Sequence, residues 1–271
     1  MFGFGPKQAP DLVPFTDARP QIFCTLLCDG VTALRLSSFA DLLALHAQLQ
    51  AERPQLRVLA SLDDLGQAAY TSGHAALASD LDDIADDDLP LLAPSSLEDG
   101  DYIGSLTSPA EFPIRLANLR RQARDVDFAD MAGLLDWSTS GDDNDPVTSN
   151  RDPDRALWIG EEKQILFQFV PVASAADTIA AFPNGYFQPD LDPMQNHALA
   201  RHLDSRHGLA LVAIGSRFLA FRRAQPLGFN EADALAADIA ALYAGSPPNA
   251  AAQLAALLTG RDWLLLRYTE S

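Results

Sequence analysis

The chain has 271 residues, 48% of them apolar and 21% charged, with a net charge of −18; that is ample for a packed core and excludes a chain disordered for want of apolar content. A balance this acidic disfavours nucleic acid, whose backbone needs cationic neutralisation, and an anionic membrane surface. No apolar run approaches the ~20 residues of a membrane span, and the opening MFGFGPKQAPDLVPF lacks the basic start and apolar stretch of a secretory signal, so a cytoplasmic protein without a membrane or nucleic-acid partner is expected.

In chain order, PQIFCTLLCDGVTALRL reads as two apolar strands joined at Asp29-Gly30, a turn pair favoured in hairpins. If Ile22 to Leu27 is extended, Cys24 and Cys28 lie roughly 13 Å apart along it, too far for a disulfide or a shared metal. Ser38 is placed to cap a helix over FADLLALHAQLQAE, with Phe39, Leu42, Leu43, His46 and Leu49 on one face and Pro54 beyond its end. LRVLAS follows as a strand.

Between Arg57 and Arg115 no Lys or Arg occurs, whereas Asp63, Asp64, Asp80, Asp82, Asp83, Asp86, Asp87, Asp88, Glu98, Asp99, Asp101 and Glu111 all do. Asp80, Asp82, Asp83, Asp86, Asp87 and Asp88 are the core of this acidic segment and are expected to steer a basic partner onto one face. SPAEFPIRLANLRRQARDVDFADMAGLLDW looks helical and carries Arg115, Arg120, Arg121 and Arg124. These arginines either balance the preceding acids or, at Arg120, Arg121 and Arg124, bind an anion.

STSGDDNDPVTSNRDPD, residues 138–154, is almost free of apolar side chains and reads as a linker or long surface loop. It divides the expected fold into an N-terminal lobe (1–137, with the acidic segment at 58–114) and a C-terminal lobe (155–271). Its GDDNDP run offers oxygen ligands but lacks the spacing and terminal Glu of a calcium-binding EF-hand loop. The second half restarts with two strands flanking Gly160-Glu161-Glu162, then a helix at SAADTIAAF.

FPNGYFQPDLDPMQNHALARHL follows. Asp192, Pro193 and Gln195 have the spacing of an N-cap, a first-turn proline and a capping-box partner, so its acids have a structural role without a metal. Tyr186 and Phe187, on a loop after Asn184-Gly185, can anchor a partner or plug the core. His197, His202 and His207 are spaced by five, about 140° apart around a helix, and are not expected to converge on one ion. LALVAIGSRFLAFRR reads as a hairpin about Gly215-Ser216. NEADALAADIAALY reads as a helix capped by Asn230, PPNAAAQLAALLTG as another, and DWLLLRYTE as a last strand.

The fold class expected is α+β, with antiparallel hairpins packed under helices on one face. The hairpin-then-helix rhythm near Gln21, Ala156 and Leu209 is that of a degenerate repeat or simply of this architecture. No G-x-S-x-G elbow, phosphate loop, dinucleotide fingerprint or Cys/His zinc spacing is present, so no cofactor or metal is expected. His74, among serines in TSGHAA, is a weak candidate base. Seventeen arginines against two lysines suit a GC-rich bacterial genome. The expected function is a non-enzymatic bacterial protein-binding protein of the immunity or antitoxin kind, meeting a basic partner through its acidic segment with Tyr186 and Phe187. The alternatives are a hydrolase-like enzyme using Tyr186, Asp190 and His197 in an inter-lobe cleft, or a structural subunit of a larger assembly.

Overall fold

The computed structural model describes residues 10–137, 145–157, 159 and 164–269. Alternating apolar residues on its strands point to opposite faces of one sheet, and both faces are covered. β1 (Asp11–Pro14) and β2 (Asp29–Leu34) open the chain and pair antiparallel. Residues 20–28 between them form no strand. Asp29-Gly30 is thus the start of a strand rather than a hairpin turn. A Cβ on Gly30 would sit 2.3 Å from the Phe167 carbonyl oxygen and 2.7 Å from the Phe15 ring, so close packing, not turn geometry, calls for glycine.

α1 (Phe39–Glu52) begins at Ser38, whose hydroxyl accepts the Asp41 amide at 3.1 Å, and buries Phe39, Leu42, Leu43, His46 and Leu49 as its periodicity predicts. β3 (Arg57–Ser61) follows, then α2 (Leu65–Ala78), capped by Asp64. The acidic stretch forms a short 3-10 helix at Asp86–Leu91 and a two-residue hairpin, β4 (Leu97–Glu98) with β5 (Asp101–Tyr102). α3 (Phe112–Gln122) is shorter than the helical pattern suggests and gives way to 3-10 turns, and β6 (Leu135–Asp136) ends this half.

Of the expected linker, residues 138–144 lie outside the described residues. The remainder is helical: α4 (Pro146–Arg151), capped by Asp145, and α5 (Pro153–Leu157). α5 also replaces the strand expected at Ala156. The Gly160-Glu161-Glu162 turn lies outside the described residues. β7 (Gln164–Val170) is the strand that was expected after it. SAADTIAAF coils into a 3-10 helix at Ala176–Ala181. Then come α6 (Pro193–His207), β8 (Ala210–Ile214) and β9 (Phe218–Arg222). α7 (Phe229–Leu242) starts at Gly228 rather than Asn230, with the Glu231 carboxylate accepting the Gly228 amide at 2.8 Å. β10 (Tyr243–Ala244), α8 (Ala250–Leu258) and β11 (Trp263–Arg267) complete the chain, and β10 pairs parallel with β6.

The main sheet has seven strands in the order β1-β2-β7-β3-β8-β9-β11, an α+β arrangement. All neighbours are antiparallel except β3 and β8, which are parallel, so the sheet is mixed. β7 lies between β2 and β3, so strands from both sides of 138–154 interleave in one sheet. Leu59, Leu166, Leu211, Leu219 and Leu264 face one cluster with α2, α3, α6, α7 and α8, whereas Val58, Phe167, Val212, Phe218 and Leu265 face a second with α1 and α5. Helices therefore cover both faces, not one. A strand buried on both sides reads as a continuous apolar run, which is how ILFQFV and LALVAI read.

Gly30→Ala should destabilise the protein by about 3 kcal/mol or abolish folding, because the obstruction includes rigid backbone that cannot rotate away; the urea midpoint of the variant, compared with wild type at equal slope, checks this.

Candidate functional site: an aromatic patch beside the acidic segment

The local chemistry of PNGYF builds the first part of the site. Asn184 is fully buried; its side-chain amide donates to the Ala68 carbonyl at 3.2 Å, and its oxygen accepts from Thr71, both on α2. Asn196, from the first turns of α6, donates to the Asn184 and Leu191 carbonyls at 3.0 and 2.9 Å. Gly185 then turns with φ +103°, and a Cβ there would collide with the Leu191 carbonyl oxygen. A left-handed turn pressed against backbone accepts only glycine. The loop is thereby clamped to α2 and to α6, whose capping box (Asp192 and Gln195 exchanging hydrogen bonds at 2.8 and 2.9 Å) forms as its sequence predicts.

The clamp sets Tyr186 and Phe187 beside α2. Between ring centroids, Tyr186 lies 5.0 Å from His74, which lies 4.3 Å from Tyr70 and 5.2 Å from Phe23; Phe187 lies 5.2 Å from Tyr186. The patch is on the surface: Phe23 is 63% exposed, Tyr70 41%, Tyr186 39% and Phe187 38%. Neither aromatic of the loop plugs the core. Phe23 lies over Gly73, where a Cβ would come within 3.1 Å of its ring. Glycine inside a helix costs about 1 kcal/mol relative to alanine, and here it seats an aromatic ring. His74 is held among the rings of Phe23, Tyr70 and Tyr186.

The same helix leads into the acidic segment. Tyr70, His74 and Leu77 follow i, i+4, i+7 spacing along the exposed side of α2, opposite the buried alanines 68, 69, 75 and 76. A cavity of about 170 Å³ lined by Phe23, Leu77, Asp82 and Arg115 connects the two regions. Cys24 also lines it, but burial pushes its thiol up to about 11 and that of Cys28 to about 12, which disarms both as nucleophiles. Both cysteines are free, and neither lies in a strand.

Three acids of the segment face inward and organise the rest. Asp82 is buried and takes a two-pronged ion pair from Arg115, at 2.6 and 2.9 Å. It therefore does not face a partner, which corrects the expectation for this residue. Glu111 is buried and accepts the Ala93, Thr107 and Ser108 amides at 2.7 to 2.8 Å. Burial opposes its charge, but a hydrogen bond from the Ser96 side chain and those from the three amides outweigh that and hold its carboxyl below the ordinary value. Asp63 accepts the Ser216 and Arg217 amides at 2.8 and 3.0 Å, locking the end of β3 to the β8–β9 turn. Asp88 turns back on the Ala85 amide. Asp80, Asp83, Asp86 and Asp87, with Glu98, Asp99 and Asp101, are exposed, and exposed Leu89, Leu91, Leu97 and Ile103 lie among them in the chain.

The arginines divide. Arg115 pairs with Asp82, Arg120 reaches Asp177 at 2.6 Å, and Arg121 bonds Asn118. Arg124 is exposed. Arg120 is thus engaged by a carboxylate of the 3-10 helix at Ala176–Ala181. Residues considered for hydrolysis hold different partners: Tyr186 is in the aromatic patch, Asp190 accepts the Phe187 amide, and His197 is buried against Asp177 at 3.0 Å. For Asp177, burial opposes the charge, but hydrogen bonds from His197 and Arg120 overcome it and bring the carboxyl down to about 2.

The histidine spacing gives a different result from the expected one. His202 and His207 both place Nε2 2.8 Å from one carboxylate oxygen of Asp238 on α7, and Arg206 Nε lies 3.1 Å from the same oxygen. Helical angle compares directions at the Cα; two long imidazoles at the end of a helix still reach a group offered by a neighbouring helix. Asp238 had no signal in the sequence, because nothing local says that α6 and α7 meet there. Phe23 and Tyr70 were also missed; the Tyr70-His74-Leu77 stripe opposite small residues was the available clue. No protein family, curated protein or solved structure matches this chain.

Arg115→Met should cost about 3–5 kcal/mol by leaving Asp82 buried and unpaired, and the double variant Arg115→Met/Asp82→Leu should recover much of it; thermal and urea unfolding of the three proteins measure this. Because the folded carboxyl of Asp177 titrates at about 2 against an ordinary 3.8, its contribution is complete above the ordinary value and is lost as pH falls through the folded one. Asp177→Asn should accordingly lose ~2 kcal/mol at neutral pH and show a flatter fall in stability between those two pH values than wild type.

Proposed function

We propose that this chain is a non-enzymatic binding protein that engages a basic protein partner through the aromatic patch and the acidic segment next to it. The observation that carries this reading is the row of exposed Phe23, Tyr70, Tyr186 and Phe187 around half-buried His74, running along α2 toward an acid-rich segment. Water-exposed aromatic rings are costly to leave idle, and aromatic anchors with a charged surround are what protein interfaces use. The chemistry selects the partner. Arginine and lysine side chains pair with the exposed carboxylates and also stack on the faces of Tyr and Phe.

The acids act at long range and the rings at contact. Asp80, Asp83, Asp86 and Asp87 raise the rate of encounter, while Phe23, Tyr186 and Phe187 slow escape. The rigid clamp of Asn184 and Asn196 supports this role, since a loop already fixed loses little entropy on binding. A bacterial cytoplasmic immunity- or antitoxin-type protein, which masks a cationic toxin, is the concrete form of this reading. No helix among the described residues is long and apolar enough to cross a membrane.

The test uses a basic protein recovered with the chain from its native host and then purified. Asp83→Asn/Asp86→Asn/Asp87→Asn should lower its association rate and flatten the salt dependence. Phe23→Ala and Tyr186→Ala should each speed dissociation, costing ~2 kcal/mol or more of affinity. Affinity unchanged by added salt, by the charge variant and by both ring variants would reject the proposal; surface plasmon resonance across a salt series reads all of these.

A further inference from the structure

A second constellation, on α6 and α7, plays no part in the interface proposed above. We propose that His202, His207 and Asp238 bind a divalent cation of the zinc class, using Nε2 of each imidazole and a carboxylate oxygen. The three ligand atoms come from two helices and lie within 4.8 Å of one another. Two imidazoles and a carboxylate form a nitrogen-rich set that favours zinc and its neighbours over calcium or magnesium, which prefer all-oxygen shells.

The geometry needs only a small adjustment. Each Nε2 is 2.8 Å from the shared oxygen. Bonds of about 2.1 Å at tetrahedral angles require ligand atoms about 3.4 Å apart, so each imidazole need draw back from the oxygen by only roughly half an ångström to admit the ion. Phe128 stacks on the His202 ring with 3.8 Å between centroids and 7° between planes, which fixes its orientation in advance. The group that must leave is Arg206, whose guanidinium touches the same oxygen at 3.1 Å; its side chain is 58% exposed and can turn to solvent. A fourth position is accessible, since His207 lines an open cavity of about 450 Å³ with Arg206, Arg223 and Asn230. Water fills that position, and the ion ties α6 to α7.

The experiment uses the full chain, stripped with chelator and titrated with zinc chloride by calorimetry, with cobalt(II) as a spectroscopic stand-in. Expected are one ion per chain, a rise in melting temperature, and the intense visible bands of tetrahedral cobalt; excess magnesium or calcium should not compete. Asp238→Asn and His202→Gln should each weaken binding at least about tenfold, while Cys24→Ser/Cys28→Ser leaves it unchanged. If either histidine-site variant fails to fold, carbon and proton shifts of the His202 and His207 rings on zinc addition to wild type give the same answer. No saturable binding, or binding that survives both site variants or vanishes with the cysteines, overturns the proposal.

Discussion

The structure depends on the placing of β7 between β2 and β3. Its backbone pairs from Gln164 to Phe169 with β2 and from Phe167 to Val170 with β3. Both partners are more than a hundred positions earlier in the chain, so this pairing is a long-range closure that must be repaid by burial on both faces. Phe167 and Leu166, adjacent in sequence, enter opposite clusters of the core. Once the strand is in place, the sheet edges, the β8–β9 turn and the helices on either side have fixed positions. The boundary expected at residues 138–154 has no counterpart in this sheet.

The acidic segment shows how one residue type does two jobs. Asp82, Glu111 and Asp63 are buried with their charges satisfied, and they tether loops and strand ends that have little regular structure of their own. With these groups inside, the neighbouring carboxylates remain in water. A buried pair such as Asp82–Arg115 is weak evidence for added stability, because desolvation offsets much of the attraction. Its effect is on position: it fixes where the segment meets α2 and α3, and with it where the exposed acids sit relative to the aromatic row.

The two candidate centres differ in origin. The aromatic patch is assembled from a loop, a helix and an irregular segment that have no sequence proximity, and buried asparagines rather than apolar packing hold its key loop. The His202–His207–Asp238 group joins two helices through one carboxylate. In both, a polar contact between distant elements decides which side chains share a surface.

What the sequence by itself determined was whatever local physics controls. Ser38 and Asp192 as helix caps, the apolar stripe of α1 and the β8–β9 hairpin follow from hydrogen-bonding groups and side-chain periodicity within a few residues. Tyr186 and Phe187 were visible as candidates because paired aromatics after Asn-Gly stand out. The tertiary structure alone decided the strand order, the inward turn of Asp82, the grouping of Phe23 and Tyr70 with the loop aromatics, and the meeting of Asp238 with two histidines. The physical reason is that apolar runs announce that they will be buried but carry no address. Which run lies beside which, and hence which polar groups are brought within reach of each other, is set by packing the whole chain at once.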